Sequence, residues 1–384
     1  HSFPHDALPI YELSAQVLDA LKNVENDMGK IFGDESDPLL VSVRSGARIS
    51  MPGMMETVLN VGLTTKTIPG LIAKTNNERF VYDAYRRLIM MYADVVMEKA
   101  VGIEPEEGQG IRQKLESILE EYKEKNNYTN DTDLSANDWK KISETFKEEI
   151  NTTLGNEFPD DPMEQLWGGI KAVFQSWQGK RAVNYRRIEN LPDKWGTAIN
   201  VQAMVFGNTG KGSATGVAFT RNPATGENAF YGEWLQNAQG EDVVAGPRTP
   251  NPLNESTKTD DNQGALSLES FFPQVYNDLD AIRIKLEKHY TDMQDIEFTI
   301  EEGRLWMLQT RTGKRNGPAA IKMAVDMFHE KLIDKKTAVL RVSPDQIDEL
   351  LHPVVDPEEE TKGELLAKGL PAGQIGRASC RERV

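Results

Sequence analysis

Asp295, Glu297, Gln309 and Arg311 all fall in one stretch, DIEFTIEEGRLWMLQTRTGKR, covering residues 295–315. Gathered on one surface, such groups have a definite use: hard oxygen donors hold Mg²⁺, and a guanidinium grips phosphate oxygens through paired hydrogen bonds. A β-hairpin would gather them. Ile296, Phe298 and Ile300 alternate with Asp295, Glu297 and Thr299, which is strand periodicity. Glu301-Glu302-Gly303 is expected to form a three-residue loop with Gly303 in the left-handed region. Ile300 then faces Arg304, Glu297 faces Met307 and Asp295 faces Gln309. Odd-numbered residues share one face, and Ile296, Phe298, Trp306 and Leu308 form the core face. A two-residue loop would put Glu297 and Gln309 on opposite faces. An amphipathic hairpin with one wet face explains the same alternation, so the pattern alone leaves both readings open.

Other polar groups sit beside apolar runs. LLVSVRSGAR reads as a buried strand entering a loop, with Arg44 and Arg48 flanking Ser45-Gly46. The methionines of the following MPGMMETVLNVGL read as adaptable core filler around the Pro52-Gly53 break. Arg86 and Arg87 lie within the helical pattern ERFVYDAYRRLIMMYADVVM, where most arginines cover a solvated face. In TAINVQAMVFGN, Ile199, Val201, Ala203 and Val205 alternate with Asn200, Gln202 and Met204, predicting a strand. Gly210, Gly212 and Gly216, with Ser213 and Thr215, could offer several backbone N–H groups to phosphate oxygens. That segment lacks the residue order of a P-loop, and a plain hairpin turn is the simpler reading. No zinc-spaced Cys/His cluster, G-x-S-x-G or H-E-x-x-H occurs, and the five histidines carry no motif.

These groups need a large scaffold. At 384 residues, with 39% hydrophobic and 27% charged residues, the chain is long enough for two or three domains with real cores. A net charge of −16 argues against a nucleic-acid or anionic-membrane surface. Cys380, the single cysteine, excludes an intramolecular disulfide. No apolar run approaches the ~18 residues of a membrane span, and no secretory signal is visible. Residues 1–10 and 374–384 look like translated adaptor sequence, so the natural chain is expected to extend past both ends. The expected compartment is the cytoplasm, with an organelle left open because a targeting segment would precede this sequence.

Several segments together carry a resemblance: VSVRSGARISMPGMMETVLNVGL, YDAYRRLIMMYADVVM, GVAFTRNPATGE, LQNAQGEDVVAGPRTP, DMQDIEFTIEEGRLWMLQTRTGKR and LLHP. In this order across residues 34–373 the chain resembles the pyruvate, phosphate dikinase family, in its N-terminal ATP-grasp domain. The resemblance implies an α+β fold of two sheet-containing lobes with a helical insertion. Residues 11–63 and 183–205 would form the first lobe, 64–182 the helical subdomain and 206–315 the second lobe. A helical segment and linker would follow over 316–363, and a histidine-bearing domain would start at 364–373.

In that family ATP lies between the lobes, and a histidine on another domain attacks its β-phosphoryl group. AMP leaves, phosphate takes the terminal phosphoryl group as pyrophosphate, and pyruvate becomes phosphoenolpyruvate. Transferred by motif, Glu297 and Gln309 are the Mg²⁺ ligands, supported by Asp295. Arg44 and Arg311 clamp phosphates, with Arg87 a weaker candidate. Thr215-Gly216 would cover the phosphates as a loop flap beside Gly53 of the MPG loop, and the backbone from Gln202 to Val205, Met204 included, would read the adenine edge. Expected partners are ATP, phosphate and pyruvate, with no nucleic acid and no membrane, and the missing domains could carry a dimer contact. The family's G-G-K-G lysine precedes this sequence, so the chain is expected to be catalytically incomplete. A phosphoenolpyruvate synthase-like dikinase and a non-catalytic nucleotide-binding module of the same fold are the alternatives.

Overall fold

The computed structural model describes residues 10–351 apart from 50, 52, 104, 107, 246–247 and 259–261. The expectations for residues 1–9 and for everything from 352 onward, Cys380 included, lie outside the described residues. The architecture is α+β, and the chain divides after Met204 into two units.

In the first unit, α1 (Ile10–Met28) leads to a short parallel pair, β1 (Ile31–Phe32) and β2 (Pro38–Leu39). β3 (Val41–Gly46) pairs antiparallel with β4 (Thr57–Val61) and with β5 (Ala198–Ala203), giving the order β4-β3-β5. Val41, Val43, Val58 and Val61 are fully buried. The helices α2 (Ile68–Thr75), α3 (Glu78–Tyr92), α4 (Ile111–Asn126), α5 (Ala136–Leu154), α6 (Pro162–Ser176) and α7 (Lys180–Ile188) all fall between β4 and β5 in sequence. They follow from patterning and caps. α3 buries Phe80, Val81, Ala84, Leu88 and Ile89 along one stripe. Asn77 caps its start, accepting a bond from the Phe80 N–H. Ser135 and Asp138 form a capping box at α5. α5 stops at Gly155 with φ +70°.

The second unit is built on a sheet of order β10-β9-β6-β7-β8. Its elements are β6 (Ala214–Phe219), β7 (Tyr231–Gln236), α8 (Gly240–Ala245), β8 (Asn251–Pro252), α9 (Leu268–Phe271), α10 (Pro273–Tyr290), β9 (Gln294–Glu301) and β10 (Arg304–Thr312). α11 (Gly317–His329), α12 (Lys335–Arg341) and α13 (Pro344–Leu351) follow. One face of the sheet packs under α10: Ala214, Ala218, Trp234, Ile296, Phe298 and Ile300 share a core with Val275 and Leu279. Each large side chain buried there contributes about 1.5–3 kcal/mol.

The hairpin forms where expected but in a different register. Glu302 and Gly303 both have positive φ (+50° and +80°), and Glu301 pairs with Arg304, so the loop has two residues rather than three. Ile300 therefore faces Leu305, and Phe298 faces Met307. Leu305 and Met307 pack against the core where Trp306 and Leu308 were expected. A bulge between Met307 and Gln309 then absorbs Leu308. Beyond it Glu297 faces Gln309 and Asp295 faces Arg311. The two-residue loop does not separate Glu297 from Gln309, because the bulge restores their shared face.

Candidate functional site

In the second unit the polar face of the sheet is read directly from the ladder. Opposed residues share a face, so one row holds Glu233, Val217, Glu297 and Gln309, and the next holds Tyr231, Phe219, Asp295 and Arg311. Arg311 Nε donates to Asp295 Oδ2 at 2.7 Å, and its Nη2 lies 3.7 Å from Glu297 Oε1. The exposure of these side chains rises from 13% at Asp295 through 27% at Glu297 to 33% at Arg311. Asp295 is thus the shielded orienting group, and the guanidinium reaches outward. Burial pushes the Asp295 carboxyl above its ordinary value, Arg311 draws it back down, and Glu297 adds to the rise. All four residues singled out on this hairpin are brought together.

Thr215 and Gly216 lie within β6 rather than in a loop. Thr215 shares the polar face but is 4% exposed, and its hydroxyl donates to the Ala238 carbonyl at 2.8 Å. Gly216 pairs with Phe298 on the core face, and a Cβ there would stand 2.4 Å from the Phe298 ring. The glycine makes room for a core phenyl ring, so covering phosphates as a loop flap is not its place. The loop proper precedes β6 and is pinned to the hairpin turn: Gly303 N donates to Gly212 O at 2.8 Å, and Glu302 N donates to Ser213 Oγ at 3.0 Å.

In the first unit Arg44 lies on β3 opposite Asn200, with its Nη1 3.5 Å from the side-chain oxygen of Gln202 on β5. The Met204 N–H donates to the Leu40 carbonyl at 2.8 Å. If this segment reads a base edge, it therefore does so through a group other than that amide. Gly53, at φ +70°, occupies the turn in which Met54 N donates to Met51 O at 3.0 Å. Met51, Met54 and Met55 pack with Trp177 and Trp195, the core-filling role expected of them. Arg87 Nε donates to Asp83 Oδ2 at 3.2 Å. Burial works to raise the Asp83 carboxyl, but Arg86 and Arg87 hold it below the ordinary range.

Sequence reasoning passed over Glu233 and put Trp306 on the core face. Trp306 shares the polar face through its pairing with Thr299, and the Arg304 guanidinium stacks on it at 4.1 Å. Glu233 interrupts the apolar run of YGEWLQ, and an acid inside a buried strand was a readable signal. Among the described residues no group of three or more His, Cys, Asp or Glu side chains is placed to hold a metal. No described helix is long and apolar enough to cross a membrane.

Comparison with known proteins gives the geometry a family. The family model described as pyruvate phosphate dikinase, AMP/ATP-binding domain, matches residues 6–266 and 254–332. A pyruvate, phosphate dikinase of Rhizobium meliloti (strain 1021) is 50% identical over 360 residues, covering 94% of this chain and 39% of the relative. That of Clostridium symbiosum is 49% identical over 362 residues, with the same two shares. The chloroplastic pyruvate, phosphate dikinase 1 of Arabidopsis thaliana is 49% identical over 357 residues, covering 93% of this chain and 35% of the relative. The chain thus spans about two fifths of the length of these relatives. It belongs to the pyruvate phosphate dikinase AMP/ATP-binding domain family.

Proposed function

We propose that this chain is the ATP-binding part of a pyruvate, phosphate dikinase, which converts ATP, phosphate and pyruvate to AMP, pyrophosphate and phosphoenolpyruvate through a phosphohistidine carried outside the described residues. The observation that carries the reading is the pairing of Glu297 with Gln309 beside that of Asp295 with Arg311, all on one sheet face. A carboxylate and an amide oxygen directly opposed are hard donors that suit Mg²⁺, with its remaining positions left to phosphate oxygens and water. The fit is therefore to a cation shared with a polyphosphate. Bound there, Mg²⁺ would supply charge neutralisation on the phosphates.

The protein's own groups do the rest. Arg311, oriented by Asp295, presents N–H groups to phosphate oxygens, where Lys would offer only a point charge. The first unit, taken by itself, offers Arg44 as a phosphate clamp, with Arg87 a weaker candidate already tied to Asp83. Gly53 admits close backbone approach, and Gln202 and Met204 line the strand end proposed to read adenine. Thr215 and Gly216 support the face by shape. The sequence partition, with residues 64–182 as a helical subdomain between two pieces of a first lobe, is proposed on the pairing of β5 with β3. Calorimetric titration of the chain with ATP, with and without Mg²⁺, tests the reading. Saturable, Mg²⁺-dependent binding weakened by Glu297→Ala is expected, and binding indifferent to both would overturn it.

A further inference from the structure

Glu233 stands on β7 in the same cross-strand row as Glu297 and Gln309. At about 4.8 Å per strand its backbone lies roughly 10 Å from that of Glu297, with Val217 between. Its other ladder neighbour is Pro252. Leu235, on the same face, packs with Ala238, Val243 and Val217 under α8. The carboxyl is half-buried in this apolar setting, and no hydrogen bond or ion pair to it is found among the described residues. Burial alone pushes it above the ordinary carboxylate range. The charged and titratable groups around it are few. β7 itself contributes Tyr231, pushed up first by burial and then by Glu233, while β6 and β8 present none to this face. Asp242 of α8 is engaged by the Gln239 N–H and lies 3.8 Å from Arg248. Asp295, Glu297 and Arg311 lie two or more strands away along the rows.

An acid kept without a charged partner beside a polyphosphate face, two strands from the proposed cation donors, meets the anion at lower cost as the neutral acid. We propose that Glu233 is a further binding group of this face: its carboxyl takes up a proton from solvent when a polyphosphate occupies the face, and the acid so formed donates a hydrogen bond to a phosphate oxygen. The inference rests on the nucleotide reading above. An ionised carboxylate would repel the ligand, whereas the neutral acid is a donor. Because the bound state then holds more protons than the free state, affinity must fall as pH rises through the window between the two titrations.

The test is calorimetry of Mg²⁺-ATP on the whole chain and on Glu233→Gln, in two buffers of different ionisation heat, from about pH 6 to about pH 8. The nucleotide's own titration is common to both proteins, so the difference between them is the signal. The wild-type chain should show extra proton uptake and lose affinity with rising pH, by at most about tenfold per pH unit. Glu233→Gln, which imitates the neutral acid, should lack the extra uptake and bind more tightly than wild type at the alkaline end. Carboxyl ¹³C titration of the wild-type chain checks this without a variant, since the Glu233 midpoint should move up on adding inorganic tripolyphosphate. Equal proton uptake by both proteins, or an unmoved midpoint, would overturn the inference while leaving nucleotide binding intact. Failure of both proteins to bind Mg²⁺-ATP would overturn the nucleotide reading and the inference together.

Discussion

Glu297 and Gln309 oppose each other across β9 and β10 because Leu308 is taken up in a bulge. A regular ladder from the same two-residue turn would put Leu308 opposite Glu297 and send Gln309 and Arg311 to the core face. The bulge is therefore the device that turns an ordinary hairpin into a polar face with its donors and guanidinium in adjacent rows.

Two deletions separate this account from one in which the strand tolerates any register. Removing Leu308 leaves Gln309 opposite Glu297 in a regular ladder, so folding and ligand binding should survive at a stability cost of about 1–3 kcal/mol. Removing Thr310 instead carries Arg311 round to the core face and should cost about 3–5 kcal/mol, the range for a buried charge without its partner. Thermal unfolding of the two variants, with titration of Mg²⁺-ATP into any that fold, checks the contrast. Equal damage from both would contradict it.

Gly216→Ala should destabilise the second unit through overpacking. The new methyl group meets the Phe298 ring at 2.4 Å and the Glu233 carbonyl at 2.7 Å. A cost of about 1–3 kcal/mol is expected in chemical denaturation, whether or not nucleotide is present. A loss confined to nucleotide affinity would instead show that the glycine serves the ligand.

Arg221 is fully buried and is shared by Glu287 of α10 and Glu330 following α11, with Nη2 2.8 Å from Glu287 Oε1 and 2.5 Å from Glu330 Oε2. Burial opposes its charge, but the two carboxylates hold the guanidinium above its ordinary value. Arg221→Ala would leave Glu287 buried without that partner, at an expected cost of about 3–5 kcal/mol by denaturant unfolding. A change within ~0.5 kcal/mol would show that the triad contributes little.

Acid should reach the second unit partly through Glu255. Bonds from Lys258, Ser267 and Ser270 hold its carboxyl down at about 2. A depressed folded value means the stabilisation is present above the ordinary range near 4.5 and is lost as pH falls toward 2. Glu255→Gln should flatten that part of the stability profile in acid-dependent melting. A wild-type slope retained in the variant would place the effect elsewhere.

Much of this was legible in the residues. The alternation of Ile296, Phe298 and Ile300 gave the strand, Gly303 its turn, and the stripe of Phe80, Ala84 and Leu88 its helix. The register was not legible, because a bulge leaves no mark in composition. Glu302 also adopts φ +50°, a conformation that glutamate seldom takes and that side-chain type does not announce. Gly216 was read as loop because glycine near Ser213 and Thr215 resembles a turn. Its actual reason, room for Phe298, is a contact across strands 82 residues apart and invisible to local pattern. Glu233 did carry a local signal, an acid within a largely buried strand, but only the ladder places it in line with Glu297.

Titration of Mg²⁺-ATP into the wild-type chain, Glu297→Ala and Gln309→Ala tests the central claim most directly. Each substitution should weaken Mg²⁺-ATP binding by about tenfold or more, some 1.4 kcal/mol, while leaving the affinity for Mg²⁺-free ATP nearly unchanged. Wild-type affinity for Mg²⁺-ATP in both variants would contradict the assignment of this sheet face to a metal-bound polyphosphate.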